Sequence, residues 1–439
     1  MSKSKTYDKA YGDYIPMAPE KKIDGHSKNV FVTYSLGASS GRDAWVYNYS
    51  QQSIFGRIKS MIDFYNAQIG REEPSRAPDK ISWSPTLQRD WARNTEIHFE
   101  KDRISLALYR PYQKQYMYHG ERLIEKPGQL GRFFPTSSTD NLVIAVNALS
   151  AKGPSCLITN LIVDSHCVGN SLCFPHHYYD VNGTPHDGIS DFILDFVRKK
   201  YGKDYITKED IFFYVYGMLH YPKYRQLIAD DIEKSIPPML FVHDFNKFRY
   251  FSHGGHQLAE LHIHYEEQTD YLKIVFRRVP KGAMDVMEHD GAAHDLPVGD
   301  NVSFDMLADE RLAHRTAHYV VTVLDYRDNF PESDLPNMYR VEKIKFLKKG
   351  RRDTIIFNKY FTIMNVPEIA YSYVINGKSA IEWMMEQYQI KTDKESGIID
   401  DPNAFAIERT RPDYILNLML SVIAASVMTT EIIGGFPEI

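Results

Sequence analysis

The chain has only three cysteines among its 439 residues, and this scarcity bears on the compartment in which it folds. So few thiols, in an odd number, do not build a disulfide framework, and we expect a reducing cytoplasm. Cys167 and Cys173 with a neighbouring histidine come closest to a zinc site, but their spacing fits no usual pair of ligands. The first residues include no apolar stretch, which predicts no secretory signal.

Long hydrophobic runs are also scarce. The most apolar segment, residues 415–428, contains Asn417 and several serines and is shorter than the ~20 residues that a membrane-spanning helix needs. We therefore predict a buried C-terminal helix and no membrane partner.

The short motifs of ATP-driven motors and of adenine methyltransferases are missing. There is no Gly-x-x-x-x-Gly-Lys-Ser/Thr phosphate loop and no DEAD/DEAH box. The nearest string to the Asn/Asp-Pro-Pro-Tyr/Phe tetrapeptide is Asp401-Pro402-Asn403, which lacks the second proline and the aromatic residue. We expect neither ATP hydrolysis nor methyl transfer by this chain alone.

Other catalytic patterns are weak. Glu342 and Lys345 have nuclease-like spacing, but no upstream strand-borne aspartate pairs with them convincingly. His262 and His264 are better explained as structural histidines than as metal ligands. No nucleophile and base stand out as a pair, which disfavours an independent hydrolase.

The net charge of −5 is unevenly distributed. Residues 266–336 carry 7 basic and 15 acidic side chains, whereas the other 368 residues have a net charge of +3. Residues 340–359 hold eight basic side chains against two acidic ones. Such a run is typical of a solvated loop between strands, and it is also a candidate ridge for phosphate contacts.

The decapeptide at residues 41–50, GRDAWVYNYS, is rich in side chains that recognise nucleic acid. Arg42 offers a planar fork for phosphate or a guanine edge, Asn48 suits an adenine edge, and the aromatic residues can stack on a base. The alternative is a buried Arg–Asp pair beside core aromatics.

Hydrophobic periodicity predicts a mixed α/β (α+β) fold with a β-rich N-terminal part, a helical middle and a C-terminal helix. An amphipathic helix is expected over residues 52–69. Further predicted elements are strands at 97–99, 115–118, 142–146 and 155–163, helices at 190–201, 208–219 and 222–235, a broken helix at 245–267, and short strands at 272–279 and 319–326.

Several blocks together resemble the C-terminal specificity region of type ISP restriction-modification enzymes. The decapeptide resembles the opening signature of that region, and the blocks that follow it in the same order are SLALYRPYQKQYMY (105–118), NSLCFP (170–175), ITKEDIFFYVYGMLH (206–220), VINGKSAIEW (374–383), KTDKESGI (391–398) and DPN (401–403). The likeness runs from about residue 30 to the end. In that family LHIHYE-like and VEKIKF-like blocks follow each other more directly, so we interpret residues 271–336 as an acidic, β-like insertion.

The resemblance implies a module that recognises a double-stranded DNA target in a phage-defence system and has no catalytic residues of its own. It implies partner domains or chains that carry an adenine methyltransferase and a helicase-nuclease, with S-adenosylmethionine, ATP and Mg²⁺ needed only there and no cofactor here. The predicted parts are a linker or extension (1–28), a mixed target-recognition part (29–189), a helical part (190–270), the insertion (271–336) and an α/β C-terminal part (337–439).

Candidate DNA contacts follow from side chains that can bind phosphates or base edges. They are Arg42, Asn48, Arg110, Lys114, Gln115 and Arg132, with Lys348, Lys349, Arg351 and Arg352 as a backbone clamp. Arg110 is equally suited to a buried ion pair. A competing hypothesis is a protein-interaction scaffold whose helices from 190 to 265 dock a methyltransferase or motor partner.

Overall fold

The computed structural model describes residues 8–19, 28–148, 152–232, 236–281, 319–348 and 350–439. Within these ranges the helices are α1 Asp43–Val46, α2 Gln51–Asn66, α3 Pro85–Ala92, α4 Leu130–Phe133, α5 Asp191–Tyr201, α6 Lys208–His220, α7 Pro222–Ile232, α8 Phe245–Ile263, α9 Ala380–Gln387, α10 Pro402–Glu408 and α11 Tyr414–Gly434.

The strands of the same ranges lie between these helices, in places several in succession. They are β1 Gly12–Pro16, β2 Ser35–Leu36, β3 Tyr47–Asn48, β4 Ile104–Arg110, β5 Gln113–Tyr118, β6 Val143–Ala148, β7 Cys156–Thr159, β8 Ile162–Val163, β9 Asn170–Pro175, β10 His177–Tyr179, β11 Pro185–Asp187, β12 Pro238–Val242, β13 Lys273–Arg278, β14 Val320–Asp325, β15 Lys345–Phe346, β16 Thr354–Ile356, β17 Phe361–Met364, β18 Val374–Ile375, β19 Lys378–Ser379, β20 Lys391–Thr392 and β21 Ile399–Asp400. The mixed α/β class predicted from the sequence is confirmed.

Local capping chemistry explains where the middle helices begin. Ser190 accepts a hydrogen bond from the Ile193 N–H at the start of α5. Thr207 and Asp210 form a reciprocal capping box at the start of α6. Both helices are confirmed, and Gly202 ends α5 with a φ of 63°, a left-handed conformation that glycine adopts without strain.

Three sheets form the framework, and small two-stranded pairs extend from it. Their strand orders are β3-β5-β4-β8, β2-β9-β6-β7 and β13-β14-β17-β16-β15, and the pairs are β1-β12, β10-β11, β18-β19 and β20-β21.

The second sheet is buried on both faces, because successive side chains of a strand point to opposite sides. On β6, Val143 and Ala145 join the core that includes the first and third sheets. Ile144 and Val146 join the other core, which contains α5, α6 and α8.

Helices α6 and α8 cross at very short range. A Cβ atom on Gly255 would lie 1.9 Å from the Phe213 carbonyl oxygen, and one on Gly217 would lie 2.2 Å from that of Phe251. Glycine is therefore required at both positions for the two backbones to approach.

Three sequence-based predictions need correction. Residues 12–16 are not a free linker, because β1 pairs with β12 and Met17 is buried beside it. Residues 97–99 form no strand; their backbone is fixed by the Asn66 side chain, which bonds to both polar groups of Ile97. Residues 245–263 form one unbroken helix.

The prediction that residues 271–336 form one separable insertion is also wrong, because both ends of this segment belong to the third sheet. Strand β13 pairs in parallel with β14, and β14 pairs with β17 from the C-terminal part. Val321 and Val323 are fully buried in the main core. Only residues 282–318, which lie outside the described ranges, are left as a candidate insertion.

The C-terminal helix α11 is confirmed but longer than predicted. Among the described helices it is the one that is long and apolar enough to cross a membrane by composition, and 72% of its most apolar window is buried inside the fold. The Ser421 hydroxyl donates to the Glu266 carbonyl and the Thr429 hydroxyl lies 2.9 Å from His262 Nε2, so α11 packs as a core helix against α8 and the turn after it.

Candidate nucleic-acid interface

The decapeptide at residues 41–50 and the block at residues 105–118, which contains Arg110-Pro111, meet in an ion-pair cluster centred on Arg110. Arg110 Nη1 lies 2.6 Å from Asp164 Oδ1, and its guanidinium stacks 3.8 Å from the centre of the Tyr109 ring. Tyr47 donates to the other Asp164 oxygen at 3.1 Å. Burial raises the pKa of Asp164, and the charge of Arg110 opposes that rise. Of the two sequence hypotheses for Arg110, the geometry matches the buried ion pair.

Arg42 is buried beneath the surface, with 4% of its area exposed. It donates to the Ser84 hydroxyl, whereas its Nε and Nη1 atoms have no partner among the described residues. Burial lowers the pKa of Arg42 to about 10, and Glu125 partly offsets this effect. The aspartate next to it pairs with Arg110 instead, since Asp43 Oδ2 lies 3.8 Å from Arg110 Nη2.

Asn48 and Gln115, the two candidate base readers, are also buried, at 2% and 1% exposure. Asn48 Nδ2 donates to the Ile399 carbonyl at 3.2 Å, and Gln115 Nε2 donates to Asp400 Oδ2 at 2.7 Å. The Tyr49 N–H donates to the other Asp400 oxygen at 3.3 Å. These groups hold the β20-β21 hairpin, and they are not displayed on the surface.

Lys114 and Arg132 are packed against protein groups. Lys114 Nζ lies 3.2 Å from Glu266 Oε1 and 4.9 Å from the centre of the Tyr265 ring. Arg132 is half-buried, donates to Gln129 Oε1 at 2.6 Å and lies over the ring of Tyr178 on the β10-β11 hairpin.

A basic cleft of about 810 Å³ lies along the edge strand β15 of the third sheet. Four of its lining side chains are basic and two are acidic: Arg340, Lys343, Lys345 and Lys359, with Asp334 and Glu342. Arg340 pairs with Asp401 at 2.8 Å, and Lys359 pairs with Asp334 at 3.0 Å. Lys343 and Lys345 are exposed and have no ion-pair partner in the described part of the chain.

The predicted clamp residues come after the cleft residue Lys345 in the sequence, between β15 and β16. Lys348 is exposed, and Lys349 lies outside the described residues. Arg351 pairs with Asp353 at 3.1 Å, and Arg352 pairs with Glu382 at 3.1 Å. Exposed pairs of this kind exchange partners at little cost in free energy.

The cleft and the hairpin are joined at their bases. The Ile390 N–H donates to the Glu342 carbonyl at 3.2 Å. Asn403 binds the backbone of Val341 in both directions, accepting from its N–H and donating to its carbonyl, each at 2.8 Å. The concentration of basic residues at 340–359 indicated the cations that line the cleft. No sequence signal connected them to the β20-β21 hairpin.

No cluster of three or more His, Cys, Asp or Glu side chains with metal-binding geometry occurs in the described ranges. Cys156, Cys167 and Cys173 are free and buried. Burial raises the pKa of each thiol, which favours the uncharged form.

Comparison with known proteins identifies the family. The model of the type ISP C-terminal specificity domain matches residues 29–418. The chain therefore belongs to the family of type ISP C-terminal specificity domains. No curated protein matches it in sequence.

Solved structures with the same fold agree with this assignment. A nuclease-deletion mutant of the type ISP restriction-modification enzyme LlaGI, in complex with a DNA substrate mimic, is 32% identical with a TM-score of 0.73, over 97% of this chain and 34% of that one. The ATP-dependent type ISP enzyme LlaBIII bound to DNA is 31% identical with a TM-score of 0.76, over 97% of this chain and 24% of that one.

A more distant structure shows the fold alone. The DrdV–DNA complex is 22% identical with a TM-score of 0.75, over 97% of this chain and 38% of that one. The chain thus spans between 24% and 38% of the length of these three proteins.

Proposed function

We propose that this chain recognises a sequence in double-stranded DNA as the specificity module of a type ISP-like restriction-modification system, a form of phage defence. The family match over residues 29–418 carries the proposal. Two structures that are 31% and 32% identical over almost the whole chain come from type ISP enzymes in complex with DNA or a DNA mimic.

In this proposal the basic cleft and the segment that follows β15 supply the phosphate contacts. Lys343, Lys345 and Lys348 are exposed cations without ion-pair partners among the described residues, so they can neutralise phosphates without first breaking a salt bridge. Phosphate contacts fix the register of the protein on the duplex, and polar side chains then read base edges. Arg132, which is half-exposed, is a further candidate for a phosphate contact.

The candidate residues that face the interior have a structural role in this proposal. Arg42, Asn48, Arg110 and Gln115 bond to protein groups, and their release would leave those polar partners, of which Ser84 and Asp164 are buried, without these bonds. We assign them to holding the recognition surface in shape.

Catalysis belongs to other domains or chains in this proposal. The adenine methyltransferase and the helicase-nuclease, with S-adenosylmethionine, ATP and Mg²⁺, act beside this module in the cytoplasm, and the module positions them on the target. The proposal agrees with the share of the type ISP enzymes that the chain spans.

The competing scaffold function would use the surface of helices α5 to α8. Its distinguishing property is the absence of duplex binding at low salt. No contact or charge pattern in the described residues favours it over DNA recognition.

Charge reversal in the cleft tests the proposal. The double variant Lys343→Glu/Lys345→Glu should bind every duplex more weakly. The negative slope of log K against log salt should become shallower by about 2, at about 0.9 for each lost phosphate contact. The matched control is Lys199→Glu/Arg249→Glu, which changes the charge equally on exposed positions of α5 and α8. Equal loss in both variants would contradict a localised phosphate site, and no duplex binding by the wild-type chain would support the scaffold.

A further inference from the structure

The β20-β21 hairpin, residues 391–400, presents a polar tip of fixed shape. The Asp393 carboxylate accepts hydrogen bonds from the Ser396 N–H at 2.8 Å and from the Ser396 hydroxyl at 2.6 Å. These bonds lower the pKa of Asp393, so the carboxylate stays charged and keeps the turn closed. Gly397 completes the turn with a φ of 71°.

The exposed positions of this tip carry hydrogen-bonding side chains. Thr392, Lys394 and Glu395 are exposed, and in the described part of the chain no hydrogen bond or ion pair joins their side chains to another residue. Lysine pairs with guanine O6 and N7, glutamate accepts from cytosine N4, and threonine bonds to either kind of edge.

The anchoring of the hairpin is stronger than a surface turn requires. Three buried groups from two distant blocks, Asn48, Tyr49 and Gln115, bind Ile399 and Asp400. Asp400 is a partly buried carboxylate whose pKa is raised by desolvation, and the Gln115 hydrogen bond opposes that rise. Buried polar groups of this kind hold a binding element in one geometry, which precise recognition requires.

The surroundings of the hairpin suit a nucleic acid. The basic cleft adjoins its base through the Ile390 and Glu342 backbones. A second polar cleft of about 430 Å³ lies at its tip, lined by Arg76, Trp83, Asp393, Glu395 and Ser396 among others. The hairpin therefore lies between the basic cleft at its base and a polar recess that its tip helps to line.

We propose that the hairpin at residues 391–400 enters the major groove of the DNA and that Thr392, Lys394 and Glu395 read base edges. This inference rests on the proposed function. A two-stranded β-ribbon fits the major groove, which is about 12 Å wide. Asn48 and Gln115 are positioning residues, because they touch the hairpin and not the base pairs.

The test measures discrimination separately from affinity. The wild-type chain selects its preferred sequence from duplexes with a randomised central window, and dissociation constants are then measured for the preferred and a scrambled duplex at one salt concentration. The ratio of interest is the dissociation constant for the scrambled duplex divided by that for the preferred duplex. Lys394→Ala and Glu395→Ala should each lower this ratio by roughly 5- to 150-fold, as expected for the loss of one base contact. Affinity for the scrambled duplex should change little in comparison.

The matched control is Lys348→Ala, which removes the same charge from an exposed position between β15 and β16. It should weaken binding to both duplexes alike and keep their ratio. If both hairpin variants retain the wild-type ratio, or if the wild-type chain binds DNA without any sequence preference, the hairpin inference is wrong while the DNA-binding part of the proposed function remains. If the wild-type chain binds no duplex, the proposed function itself fails.

Discussion

Gln115 Nε2 donates a hydrogen bond to Asp400 Oδ2 at 2.7 Å, although the two residues lie 285 positions apart in the chain. The bond joins strand β5 to the β20-β21 hairpin. It makes the shape of an exposed recognition element depend on a buried residue far away in sequence.

Replacing Gln115 by Ala should therefore alter both stability and recognition. Removing a hydrogen bond to a charged group costs about 1.5–3 kcal/mol of unfolding free energy. Binding to the preferred duplex should weaken while binding to a scrambled duplex is retained. Denaturant unfolding and paired dissociation constants measure the two effects, and a stability loss with an unchanged binding ratio would show that Gln115 has no part in recognition.

Arg110→Ala should destabilise the protein by about 3 kcal/mol, because it leaves the buried Asp164 carboxylate without its counter-charge. The control is Arg103→Ala, which removes an arginine from the exposed pair with Glu100 and should cost less than about 1 kcal/mol. Urea unfolding of the two variants gives the comparison. Equal costs would indicate that the Arg110 pair is solvated.

Stability should fall as the pH is lowered from about 6.5 to about 4. Burial lowers the pKa of His119 to about 4, of His176 to about 4 and of His220 to about 3, and it holds the pKa of His262 well below its usual value. These side chains are neutral when folded, whereas the unfolded chain takes up protons near pH 6.5. Because the unfolded state binds more protons in this window, acidification favours it.

The histidine contribution can be isolated by substitution. His262→Gln should make the dependence of unfolding free energy on pH shallower by up to about 1.4 kcal/mol per pH unit. His264→Gln, at an exposed position on the turn after α8, is the control. A His262 variant with the wild-type slope would contradict this explanation.

Removing residues 282–318 should strengthen non-specific DNA binding, because this segment carries a net charge of −6. Strands β13 and β14 run parallel, so the Gly/Ser bridge that replaces the segment needs about a dozen residues or more. Affinity for a scrambled duplex at low salt is the measurement. Loss of cooperative thermal unfolding would show instead that the segment is required for the fold.

The sequence predicted most of the individual elements because their signals are local. The Thr207–Asp210 capping pattern, followed by a continuous apolar run, is sufficient to indicate α6. Residues 97–99 were predicted wrongly as a strand because their pattern is β-like, whereas the tertiary bonds from Asn66 decide their backbone.

The candidate site was harder to predict, since its composition does not reveal which side chains are buried. Asn48 and Gln115 have the chemistry of base readers, but their partners lie in residues 399 and 400, far along the chain. The decapeptide aspartate pairs with Arg110 and not with its neighbour Arg42, which no local pattern indicates. The basic run at 340–359 indicated a concentration of cations, because charge density is a local property of the sequence, but it did not predict that four of them line a cleft.

The most direct test of the proposed function is the salt dependence of duplex binding by the wild-type chain. Fluorescence anisotropy with a labelled duplex of random sequence, followed from about 50 to about 200 mM salt, gives the slope of log K against log salt. We predict measurable binding at the lowest concentration and a slope of about −3 or steeper, as three phosphate contacts from Lys343, Lys345 and Lys348 require. No detectable binding at about 50 mM salt would contradict DNA recognition by this chain.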